Sequence, residues 1–251
     1  FDGHFWSPTH DYNSIDFLKT LNLSDLKTVR VVGGEPFLST RLQEFLDILP
    51  IGCEIVFNTN GSVFPNQKII DTHHHLWDPT TSKYDWLTAP GHEVFNHVYL
   101  IEDYIRDFEE LNIVKSVHVQ AEINLSDTIY ETEWLQRCSD INENKLPNAI
   151  VGFADLLDPE VEKILEMHMN FSNFRGIRQI LNYNKNNKEI SHAKIDYLKE
   201  DKWIKNFSFL QKHDLSFDLS ILYTQTEEAI NLIKKYQNTL FIINHSLSPM
   251  D

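Results

Sequence analysis

Cysteine is nearly missing from this chain: Cys53 and Cys138 are the only two in 251 residues. Two distant thiols make no disulfide framework. Basic residues are also short, 22 Lys and Arg against 37 Asp and Glu, for a formal net charge of −15. The deficit runs through the whole chain, 4 basic against 8 acidic before residue 68 and 18 against 29 from there on. Such a surface disfavours nucleic acid or an anionic membrane as partner. There is no run of 18 apolar residues, so no membrane span is expected. Nor does a charged-then-apolar leader open the chain, which with the few cysteines makes the cytoplasm the expected compartment. What is present suffices for a core: 41% hydrophobic and 12% aromatic residues, at a length that allows one large or two modest domains.

The most informative stretch is Ile70-Asp71-Thr72-His73-His74-His75-Leu76-Trp77-Asp78. A short apolar run from Lys68 to Ile70 reads as a strand that delivers three consecutive histidines to its end. Alternate side chains of an extended strand share a face, so His73 and His75 project together while His74 points away. Two imidazoles held side by side make half of a metal site, or a pair of polarising and acid-base groups around a carbonyl.

Downstream, strand and helix patterns alternate. Val117 to Ala121, Ala149 to Phe153, Phe174 to Ile180, Leu215 to Leu219 and Leu240 to Asn244 read as strands. Helical stripes fall between them, among them Leu100, Tyr104, Ile105, Phe108 and Leu111, then Leu135, Cys138 and Ile141. Six strands from Lys68 onward, each parted from the next by a helix, mark a parallel sheet, either closed into a (β/α) barrel or opened as a doubly wound sheet. A barrel delivers its chemistry at the C-terminal strand ends. Polar residues stand there in series: His73 and His75, Gln120 and Glu122, Asp155, Arg175 and Arg178, Asp218, then Asn244 and His245. Of these, Arg175 reads as a solvated surface charge. The polar run Asn182 to Lys188 reads either as a loop over the barrel mouth or as a solvated connector.

These blocks resemble the amidohydrolase-related (amidohydrolase 2) family. The resemblance rests on Ile70 to Asp78, on Val117-x-Val-Gln-Ala-Glu122, on Gly152-Phe-Ala-Asp-Leu156 with Asp158-Pro159, on Phe174-Arg-Gly-Ile-Arg178 and on Asn244-His245 followed by Pro249. It is most similar to the lactonase branch, of sugar-lactone and pyrone-dicarboxylate lactonases, and covers residues 68–251. The resemblance implies water attack on the polarised carbonyl of a lactone or similar cyclic ester. His73, His75 and His245 would surround that carbonyl or bind a divalent, zinc-like ion, which some members do not require. Arg178 would hold a carboxylate or oxyanion, a task that suits a planar guanidinium, with Gln120, Glu122 and Asp218 also binding a small anionic or sugar-derived substrate. Barrels of this family end with an aspartate after the eighth strand. Lys68 to Asp251 is 184 residues, against about 250 for an eightfold barrel, so the expectation is an α/β incomplete TIM-like barrel of six strands, without that aspartate and poorly active.

Residues 1–67 read as a separate piece. A strand at Thr28 to Val32 leads into Gly33-Gly34-Glu35-Pro36-Phe37-Leu38, a helical stripe follows, and a strand at Glu54 to Phe57 ends in Asn58-Thr59-Asn60-Gly61. This βαβ piece resembles the middle of a radical S-adenosylmethionine enzyme, which implies vestigial cofactor contacts at Gly33, Gly34 and Glu35. The iron-sulfur cluster of that family needs three closely spaced cysteines, and here there are two in all, so none is expected. Taken alone, the two glycines merely permit a tight strand-to-helix turn. Two other readings stay open for the chain: decarboxylation or hydration of a small acid on the same fold, and a non-catalytic fusion fragment.

Overall fold

The computed structural model describes residues 28–31, 47–49, 54–57 and 68–248. The chain divides into two compact units, residues 68–244 and residues 1–67 with 245–251. In the unit that contains the N-terminal residues, β1 (Thr28–Val31) and β2 (Glu54–Phe57) pair in parallel in a sheet of their own, Thr28 opposite Glu54 and Val31 opposite Phe57. Gly33, Gly34, Glu35 and the segment 58–61 lie outside the described residues.

The larger unit is an α/β half-barrel. Its strands are β3 (Ile69–His74), β4 (Ile113–Val119), β5 (Ala149–Gly152), β6 (Phe174–Ile180), β7 (Ser216–Ser220) and β8 (Phe241–Ile243). They pair in sequence order, all parallel, as a curled six-stranded part of a TIM-like barrel. Each crossover carries helix: α1 (Ile101–Asp107), α2 (Thr128–Ile141), α3 (Val161–Met169), α4 (Asp201–Asn206) with α5 (Ser208–Lys212), and α6 (Thr226–Lys235).

Every residue of β7 is buried, as expected for a parallel strand covered on both faces. Outside it, Phe207 stacks on Phe241 with ring centroids 5.3 Å apart and meets Phe217 edge to face at 5.1 Å. A second core joins Leu76, Ile101, Tyr104, Leu135, Cys138, Leu146 and Ile150 between the start of the sheet and its first two helices. Fully burying one such side chain contributes about 1.5–3 kcal/mol.

The first strand, expected to start near Lys68 and to close with the histidines, runs from Ile69 to His74, with a register irregularity against β4 between Asp71 and His74. One strand limit differs informatively from the sequence expectation. The next strand spans Ile113–Val119 rather than 117 to 121. It stops early because the Ala121 N–H donates to Glu131 Oε1 (3.0 Å) and Glu122 turns into the left-handed region at φ 57°.

Candidate functional site

His73 ends up beside His75, as the two-residue period of a strand requires. Their Nε2 atoms are 3.2 Å apart and their rings meet edge to face. His75 Nδ1 lies 2.6 Å from the Val119 carbonyl oxygen at the exit of β4. A carbonyl only accepts, so the His75 proton sits on Nδ1 and its Nε2 lone pair faces His73.

The strand behind this pair is pinned from several sides. The His73 N–H donates to Asp71 Oδ1 (3.1 Å), and the Tyr104 hydroxyl donates to Asp71 Oδ2 (2.8 Å). The Leu76 N–H donates to His118 Nε2 (2.9 Å). His74 points the other way, bonded to Ser116 Oγ at 3.0 Å and stacked on Tyr104 at 4.4 Å. Burial lowers its pKa to about 3, and burial, then the neighbouring His74 and His75, hold His118 well below the ordinary imidazole range. Both rings are therefore neutral struts.

Arg178 and Asp218 are register partners on β6 and β7 and so share a face of the sheet. Arg178 is buried, 4% exposed, and its Nη2 donates to the Gln120 carbonyl at 2.6 Å. Burial lowers its pKa, while Glu122, Asp218 and Glu131 favour its charge. The guanidinium thus acts first as a strut between the ends of β6 and β4. Gln120 holds the turn that follows, its Oε1 accepting from the Glu122 N–H at 2.6 Å. Asp218 accepts from Asn244 Nδ2 at 3.0 Å. Asp155 is spent locally, on the Leu157 N–H and Gln179 Nε2. Arg175 is exposed and binds the carbonyls of Ser172 and Phe174, in keeping with a surface charge. His245 follows Asn244 directly, at φ 49°, in the turn His245–Leu247, which is assigned to the other unit.

Three functional-looking groups escaped the sequence reading: His192, Glu131 and His118, of which the first pairs with the expected Glu122. Glu122 Oε1 lies 2.5 Å from His192 Nε2. Burial raises the Glu122 pKa, but His192, then Arg178 and His75, outweigh it, and the carboxyl titrates below its usual range. The bond to Glu122 raises His192 in turn. Glu131 is wholly buried, and loss of hydration pushes its pKa up to about 7. His118 is the third.

The His73 and His75 geometry suits a small divalent ion. Zinc–imidazole bonds of about 2.0–2.1 Å place two ligand nitrogens roughly 3.2–3.4 Å apart in a tetrahedral arrangement, and the fixed Nδ1–H of His75 is the outer bond such ligands use. One other set, Glu162, Glu166 and His213, brings three potential ligand atoms within 4.8 Å of one another among the described residues. It lies on α3 and just after α5, away from the strand ends, and Lys212 already pairs with Glu162.

The fold is a parallel α/β half-barrel with paired histidines at its first strand end, and comparison with known proteins gives its family. An amidohydrolase family model matches residues 70–249. The chain belongs to the amidohydrolase family. It is 35% identical over 190 residues to an uncharacterized protein, y4mH, of Sinorhizobium fredii, covering 73% of this chain and 63% of that one. In fold it is similar to a zinc-bound amidohydrolase of Burkholderia multivorans (TM-score 0.54, 19% identity, 70% of this chain and 57% of that one). It is also similar to a Pseudomonas putida protein named for 2-pyrone-4,6-dicarboxylic acid hydrolysis (TM-score 0.51, 17% identity, 72% and 57%). The chain therefore spans less than two thirds of the length of these relatives.

Proposed function

We propose that this chain is part of a hydrolase that opens a lactone or similar cyclic ester of a small sugar-derived or carboxylic acid. The observation that carries the reading is the His73–His75 pair, two Nε2 atoms 3.2 Å apart with the His75 tautomer fixed by Val119. In the reaction a water oxygen adds to the carbonyl carbon, the ring C–O bond breaks, and the departing alkoxide takes up a proton to give the hydroxy acid. Charge builds on the carbonyl oxygen as water adds, and stabilising it there lowers the barrier. His73 and His75 face that oxygen or would hold a zinc-like ion, which when bound supplies Lewis acidity. Arg178 adds a fixed positive field. Gln120 and Glu122 shape the rim beside β4, and Asp218 takes the substrate from β7. In this assignment the hydrolase piece is 68–251 and the protein is cytoplasmic. Residues 1–67 receive no activity: their resemblance to radical S-adenosylmethionine enzymes rests on motifs outside the described residues.

The test is product identity. The chain, with and without added zinc, is incubated with a panel of sugar lactones, pyrone carboxylates and simple carboxylic acids. Ring opening, read as one acid equivalent per turnover, supports the assignment; release of carbon dioxide or hydration of a double bond without ring opening would replace it with a lyase.

A further inference from the structure

We propose that Glu131, on α2, is a positioning residue of this site, its carboxylate acting through the Gln120–Ala121 peptide to hold Arg178 in place. The inference rests on the reading that the strand ends carry the reaction, and it names what fixes their guanidinium.

One peptide unit carries both bonds. Its carbonyl, that of Gln120, accepts from Arg178 Nη2 at 2.6 Å, and its N–H, that of Ala121, donates to Glu131 Oε1 at 3.0 Å. A buried cation and a buried carboxyl thus grip opposite ends of the same amide plane. The residues beside it aim other groups of the site: the Val119 carbonyl takes the His75 Nδ1–H, and the Gln120 side chain takes the Glu122 N–H. The segment is also tied by the Gln120 N–H to the Val151 carbonyl and by Trp86 Nε1 to the Ala121 carbonyl.

Glu131 can change charge without letting go. Its Oε1 accepts from Ala121 in either state, while Oε2, buried and without a hydrogen bond among the described residues, is left to carry the proton. The buried Arg178 Nε makes no hydrogen bond there either, so the guanidinium depends on its tether to Gln120. An ionised acceptor makes a hydrogen bond about twice as strong, and bonds in a chain polarise one another. With Glu131 ionised, the Gln120 carbonyl oxygen gains negative charge and the Arg178 bond tightens. Burial raises the Glu131 pKa to about 7, against the Ala121 bond and Arg178, which lower it, and with Glu122, which raises it. Glu131 in turn favours the charged guanidinium. Tyr84 also faces it, a phenol that burial and then Glu131 raise.

Gln120-Ala121 is the only Gln-Ala pair in the sequence. A chain labelled with 13C at glutamine carbonyls and 15N at alanine therefore gives one correlated NMR signal that reports both ends of this peptide. The Ala121 amide and Gln120 carbonyl shifts should move together, with a midpoint near pH 7. Glu131→Gln, which keeps the acceptor, should leave the signal flat, and His192→Gln, which removes the imidazole bonded to Glu122, should retain the midpoint. Arg178→Gln should raise the midpoint by about one unit, a tenfold gain in proton affinity. In turnover of the best lactone, kcat/KM of the unaltered chain over that of Glu131→Gln should rise from near one at about pH 5.5 to about tenfold at about pH 8.5. Groups that titrate in both proteins cancel from that ratio. A signal that does not titrate, one that titrates equally in Glu131→Gln, or a midpoint indifferent to Arg178→Gln overturns the proposal. Ring opening with a ratio constant across pH also sinks it and leaves the hydrolase reading standing. If no lactone is opened, the hydrolase reading falls and the NMR midpoints decide the coupling of Glu131 to Arg178 by themselves.

Discussion

At the scale of single residues, buried titratable groups set the pH window of the fold. Burial lowers His74 to about 3 and His168 to about 4. His168 is committed as a neutral ring, with Nδ1 on Thr132 Oγ1 and Nε2 on the Phe153 carbonyl. Because their folded pKa values are depressed below 6.5, the stability they contribute is complete above that pH and is lost as pH falls, by about 3 kcal/mol each at pH 4. Glu131 works in the opposite sense. Its folded pKa of about 7 exceeds the ordinary 4.5, so its contribution is full below pH 4.5 and lost as pH rises toward 7, reaching about 3 kcal/mol above it. Thermal melts across pH should therefore show a maximum between these limits. Glu131→Gln, which keeps the acceptor for the Ala121 N–H, should raise Tm at pH 8 and leave it nearly unchanged at pH 5. A variant that melts lower at pH 8 would show the carboxylate to be satisfied there.

At the scale of elements, the parallel sheet depends on close approach at Gly176. A Cβ built there would stand 2.1 Å from Ser216 Oγ and 2.3 Å from the Ser216 carbonyl oxygen. The backbone atom cannot move without parting β6 from β7, where Gly176 pairs with Ser216. Gly176→Ala should cost about 3 kcal/mol, read from urea unfolding, and should disturb Arg178 and Asp218 two residues along. An unchanged midpoint would mean the strands separate freely.

The same elements show what the sequence made readable. Strand and helix alternation survives because each strand is an apolar run, and the His73–His75 pairing survives because the strand period is two. Glu131 was hidden for the opposite reason. Along α2 the buried positions include Glu131, Thr132, Gln136 and Ser139, each with a partner outside the helix: the Ala121 N–H, His168, the Asn173 N–H and the Lys145 carbonyl. Hydropathy cannot show a polar face that finds its partners only in the fold. His192 lies in irregular chain, where no periodicity announces a direction. Arg178 was legible as a residue of the site but not as a strut, since its bond to the Gln120 carbonyl depends on neighbouring strands.

At the scale of the whole molecule, the half-barrel gathers its candidate chemistry at one rim. None of the helices searched among the described residues is long and apolar enough to cross a membrane. The rim order β3, β4, β6, β7 brings together an imidazole pair, a turned carboxylate, a buried guanidinium and an aspartate, supports that no single segment supplies. The account stands on the imidazole pair. The most direct measurement is kcat/KM for the best lactone substrate of the chain, beside that of His75→Ala, with folding of the variant checked by its melt. Loss of the charge-stabilising group should lower the rate at least about 100-fold. Lactone hydrolysis that proceeds undiminished in His75→Ala would contradict the account at its centre.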